Sequence, residues 1–74
     1  MILTCAEEVC ALLRLEREER GQSQREFADV IGCDQRNVSD YERLNKPMRM
    51  STAIRMLRKL GYSVHVTRTE KASV

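Results

Sequence analysis

The sequence predicts an all-α fold, a bundle of four helices, followed by a short C-terminal β-strand that pairs across a dimer. Three observations predict it. Apolar residues recur at helical spacing from Val9 to Leu60, punctuated by capping residues and glycines. The 74-residue chain has three Gly, one Pro and only 4% aromatic residues, which favours a helical core of Leu, Ile, Val, Met and Ala. After Gly61 the pattern turns from helical to alternating.

Taken in order, Thr4-Cys5-Ala6-Glu7 has the form of a capping box. The Thr4 hydroxyl can cap the Glu7 amide and the Glu7 carboxylate can reach back. It opens a first helix that runs to Arg20, with Val9, Leu12 and Leu13 as its apolar stripe and Gly21 as its stop. Leu15 and Glu16 break the stripe, since a strict period would make position 16 apolar. Ser23-Gln24-Arg25-Glu26 is a second box, opening a short helix that ends near Ile31 and turns Phe27, Ala28 and Ile31 inward. Gly32 makes a sharp turn. Asp34 can then cap a third helix over residues 35–43, with Val38 and Tyr41 inward. Asn45-Lys46-Pro47 is a loop. A fourth helix covers residues 51–60, burying Ala53, Ile54, Leu57 and Leu60, and Gly61 ends it. Met48, Met50 and Met56 fill the core, as does Cys33.

Beyond Gly61, Tyr62, Val64 and Val66 share one side of a strand. A single strand leaves backbone groups unpaired on both edges, and its simplest partner is the same strand of a second chain. A 74-residue domain buries only ~60% of its unfolded surface, so oligomerisation also suits its size. The expected divisions are residues 1–61 for the helical domain, 62–68 for the dimerisation strand and 69–74 for a polar tail.

Two short helices joined by a tight glycine turn, between two longer ones, form a helix-turn-helix. Residues 21–44 read GQSQREFADVIGCDQRNVSDYERL. The signature pieces are Gly21-x-Ser23-Gln24, Phe27-Ala28, the turn Ile31-Gly32-Cys33, and Val38-Ser39-x-Tyr41-Glu42-Arg43. As a set they resemble the Cro/repressor-like (XRE) helix-turn-helix family, over about residues 9–61. The resemblance implies a lambda-repressor-like bundle that binds double-stranded DNA. The spacing has a physical reason. Ala28 is small where the two helices cross, Gly32 permits a left-handed turn, and the third helix is held out where a major groove can admit it.

In that family the start of the second helix and the N-terminal half of the third contact DNA. Carried onto this sequence, Gln24 would position a phosphate and brace the third helix. Gln35, Arg36, Asn37 and Asp40 would face base edges, with Ser39 in support. Arg suits guanine N7 and O6, Gln and Asn suit adenine, and Asp can accept from cytosine N4. Arg43, Lys46 and Arg49 follow that helix, where phosphates should run. The resemblance also implies an ion pair between Arg17 and Glu42. Three departures stand out. Asp34 replaces a Ser, Arg49 replaces a capping Ser, and a strand replaces a fifth helix. The strand after Leu57-x-x-Leu60-Gly61 is similar to that of Hip-type antitoxins, in which two strands pair to make the dimer.

Net charge is only +2, but residues 1–34 set four bases against eight acids, and the remainder sets nine bases against three. Such a split suits a polyanion on one face. Cys5, Cys10, Cys33 and His65 lack zinc-site spacing; five residues of helix turn through ~500°, which separates Cys5 from Cys10. With no nucleophile–base set and no phosphate loop, neither enzymatic activity nor a cofactor is expected. No apolar run approaches ~18 residues, the N-terminus lacks a signal-peptide pattern, and three cysteines have no framework spacing. A cytoplasmic, nucleoid-associated protein of bacterial or phage origin is therefore expected, with no membrane partner. The functional expectations are a dimeric repressor of a two-fold operator, an antitoxin that binds a toxin protein and represses its own operon, or an adaptor that lost DNA binding, for which Asp34 and Asp40 speak.

Overall fold

The computed structural model describes residues 3–66. Among them lie four helices: α1 (Ala6–Glu19), α2 (Gln24–Ile31), α3 (Gln35–Glu42) and α4 (Met50–Lys59). α3 packs on α2 and α1, and α4 packs on the same two. One cluster joins them. Phe27 is fully enclosed, with Ile31 and Met56 at 1% exposure, and Leu12, Leu13, Val38 and Leu57 close around them. Each such side chain contributes about 1.5–3 kcal/mol by leaving water.

α1 begins one residue later than the Thr4 box requires. Cys5 is the N-cap and makes no capping bond. The third helical residue is therefore Glu8, not Glu7. Its carboxylate accepts from the Thr4 amide at 3.2 Å and from the Thr4 hydroxyl. Those bonds hold the Glu8 carboxyl below its ordinary value. The break in the α1 stripe also has an explanation. Cys10 joins Val9, Leu12 and Leu13 in the core, and the next inward positions are the polar pair Glu16 and Arg17. Glu16 accepts from the Tyr62 hydroxyl at 2.5 Å, and Arg17 pairs with Glu42. Leu15 points outward.

The second box is present in full. The Glu26 amide donates to Ser23 Oγ at 3.1 Å, and the Ser23 amide donates to Glu26 Oε1 at 2.9 Å. α2 ends at Gly32, whose φ of 74° lets both the Gly32 and Cys33 amides return to the Ala28 carbonyl. A side chain there would meet Lys59 Nζ at 2.5 Å from its Cβ. α3 follows with Asp34 as N-cap, but its carboxylate makes no capping bond. The helix closes one residue short of the expected Arg43. The Arg43, Leu44 and Asn45 amides return to Ser39, Tyr41 and Asp40. Leu44 occupies the left-handed position of that turn, with φ 58°.

α4 spans Met50–Lys59, one residue earlier than expected, with Arg49 as an N-cap that makes no side-chain bond. Its inward face is Ala53, Met56, Leu57 and Leu60. Met56 is buried as expected, but Ile54 is only half-buried. Met48 is buried as expected, whereas Met50 is 79% exposed, because it stands at the first turn on the outer side. Cys33 is half-buried against the core.

No strand occurs among the described residues. Residues 62–66 follow α4 without a ladder, since a single chain offers them no neighbouring strand. Residues 67–68 of the expected strand and the tail 69–74 lie outside the described residues. Tyr62 packs against its own protomer's core, while Val64 and Val66 are exposed.

Candidate nucleic-acid interface

α3 divides its eight residues cleanly. Val38 and Tyr41 enter the core, Gln35 and Arg36 are exposed, and Asn37, Ser39 and Asp40 are half-buried along the flank. The third helix therefore offers an open ridge at its N-terminal half. Its tilt is fixed from the other end by Glu42. Arg17 Nε donates to Glu42 Oε2 at 2.6 Å, and Arg17 Nη2 donates to Oε1 at 3.0 Å. Gln24 Nε2 also donates to Oε1, at 3.1 Å. Arg17 Nη1 continues to the Gln22 carbonyl at 3.0 Å. Burial pushes the Glu42 carboxyl up, but the bonds from Arg17 and Gln24 and the Arg17 charge outweigh it and hold the group below its ordinary value. One carboxylate thus ties α1, the first residue of α2 and the last residue of α3 together.

The basic residues after α3 separate into two kinds. Arg43 and Arg49 are exposed and form no ion pair among the described residues. Lys46 is half-buried and folded back onto α3. Its ammonium donates to Asn37 Oδ1 and lies 5.0 Å from the centre of the Tyr41 ring. The sequence gives no sign of this contact, because it depends on how the loop after Leu44 doubles back. Gln22 was likewise not anticipated; its carbonyl becomes part of the brace only because the chain leaves α1 beside Arg17. Among the described residues no group of His, Cys, Asp and Glu side chains gathers into a metal-sized cluster. Nor is any described helix long and apolar enough to cross a membrane.

A family model described as helix-turn-helix, of the XRE type, matches residues 13–66. The chain belongs to this helix-turn-helix family. The matched span runs from within α1 past the end of α4 and includes the Arg17–Glu42–Gln24 brace, the Gly32 turn and the whole of α3. As a helix-turn-helix protein it is a DNA-binding transcription regulator. No curated protein and no solved structure matches the chain. Within this helix-turn-helix the α2–α3 pair has the tight-turn arrangement that places a recognition helix in a major groove.

Proposed function

We propose that this protein is a dimeric repressor that reads a two-fold DNA operator with α3. One observation carries the reading: the N-terminal half of α3 stands open while its other end is clamped by Glu42 to both α1 and α2. A groove reader needs an accessible ridge and a rigid support, because a helix free to rock cannot hold base contacts. Gln35 and Arg36 face base edges, with Asn37 and Asp40 beside them and Ser39 in support. Gln24 braces Glu42 and can reach a phosphate, while Arg43 and Arg49 flank the backbone and Lys46 stands beside Asn37. A two-fold dimer places the two copies of α3 about one helical turn apart, ~10 base pairs between half-site centres. Selection of bound sequences from a random duplex pool tests this directly. A symmetric motif is expected, and Arg36→Ala should cost about 1–3 kcal/mol and relax one base pair in each half-site. Recovery of no motif would falsify the reading.

An antitoxin role is the second reading. Val64, at 41% exposure, and Val66, at 95%, leave apolar side chains uncovered on the segment that follows α4. A protein partner, in addition to DNA and a second copy of the chain, would use that surface. The finding that separates the two is a toxin-like reading frame beside this gene whose product co-purifies with the chain.

A further inference from the structure

We propose that Lys46 and Asn37 form one composite donor pair that selects guanine, Lys46 both fixing the Asn37 carboxamide and offering donors of its own. The inference rests on α3 reading base edges as proposed above, and deepens it by assigning a base preference. An asparagine standing alone on a recognition helix suits adenine, since its carboxamide offers one acceptor to N6 and one donor to N7. Here the acceptor is already engaged: Lys46 Nζ donates to Asn37 Oδ1. The orientation of the carboxamide follows from chemistry, because an ammonium has three donors and no acceptor and can face only the oxygen. Asn37 Nδ2 makes no hydrogen bond among the described residues and is not fully enclosed, so its donors are left for a ligand.

The pair therefore shows donors. Nδ2–H comes from the amide, and the ammonium's other N–H groups lie beside the engaged oxygen. A base with two acceptors on its major-groove edge fits both; guanine has N7 and O6, whereas adenine would bring its N6 donor towards a positive charge. Lys46 is also held in this place by the Tyr41 ring, whose centre is 5.0 Å from the ammonium, and Tyr41 is itself a core residue. The positioning is thus anchored in the fold. Asn37 is half-buried at the flank of α3, so a fixed rather than a searching side chain is what the groove would meet.

The test is binding-site selection from a random duplex pool with the full chain and with Asn37→Ala, Lys46→Met and Lys46→Arg. Met keeps an unbranched side chain and removes the donors, and a melting curve of each variant checks folding. The unaltered chain should select guanine at the one position per half-site that Asn37→Ala relaxes. Lys46→Met should turn that position towards adenine, on the order of ten-fold relative to guanine, and Lys46→Arg, which keeps donors, should restore guanine. Adenine at the Asn37-dependent position of the unaltered chain overturns the proposal, and that comparison needs no lysine variant. An equal loss for all sequences in Lys46→Met, with the motif unchanged, overturns it too, since that is what a simple phosphate contact gives. If the unaltered chain selects a motif that Arg36→Ala relaxes but Asn37→Ala does not, this proposal falls and the α3 reading stands. No motif at all removes both.

Discussion

Glu42 keeps its charge with a side chain only 7% exposed, because three donors from Arg17 and Gln24 surround it. Removing it strands the Arg17 guanidinium in a half-enclosed site. Glu42→Ala should therefore lower stability by about 2–3 kcal/mol in urea unfolding, less than a wholly buried pair because Arg17 keeps some access to water. The sign of the pH dependence follows from the lowered carboxyl. Glu42 contributes its full stability above the ordinary glutamate value of 4.5 and loses it as pH falls through the lower folded value. The urea midpoint should hold above that pH and drop below it. In Glu42→Ala the drop should be shallower, with the slope that remains coming from groups such as Glu26, whose carboxyl is also lowered by its bonds to Ser23. Leu44 is a different kind of case. It holds φ at 58° while the residue is 57% exposed, so it bears left-handed strain for little burial. Leu44→Gly should raise stability by about 0.5–1 kcal/mol after the added freedom of the unfolded chain is counted, visible as a higher melting temperature. The Arg17–Glu42 pairing was legible through the family resemblance. The strain at Leu44 was not, because nothing in its neighbours announces a left-handed turn.

Of the four helices, α2 alone has an N-terminus capped by its own side-chain box. That box was readable from Ser23 and Glu26 because capping is local, spanning three residues. The similar pattern at Thr4 misled because Cys5, not Thr4, is the N-cap of α1, and one residue of slip hands the carboxylate's task to Glu8. At α4 the one-residue slip leaves Ala53, Leu57 and Leu60 inward as expected, and only Ile54 falls short of the core. Helices of eight residues such as α2 and α3 are not stable alone, so packing, and not propensity, fixes such ends. Ser23→Ala should cost about 1 kcal/mol in thermal or urea unfolding. It should leave the selected DNA motif unaltered, since the box lies at the start of α2 and α3 is held by Glu42 instead.

The molecule as a whole divides its labour between a closed core and two open regions, the α3 ridge and the segment after α4. In that segment Tyr62 packs on the core of its own chain and bonds Glu16, so the dimer proposed above has Val64 and Val66 left for a second copy. Val66→Asp therefore separates assembly from folding. On the proposed dimer, sedimentation should show the unaltered chain pairing and Val66→Asp remaining monomeric at the same concentration, with the melting of the single chain little changed, because Val66 is 95% exposed. A dimer that survives this change and Val64→Asp would rule out pairing through this segment. Cutting the chain after Gly61 is the poorer test, as it also removes Tyr62 from the core.

Local chemistry wrote much of this protein into its residue order: the α2 capping box, the Gly32 turn, the inward faces of α2 and α3, and with them membership of a DNA-binding family. Each of these depends on groups within a few positions of one another, where spacing alone sets geometry. What needed the folded chain were contacts between distant stretches, namely the Tyr62–Glu16 bond and Lys46 laid across Tyr41 onto Asn37. Those arise from how the loops return and how the core closes. A side chain with several reachable partners is committed to one of them only when the rest of the molecule has taken its place.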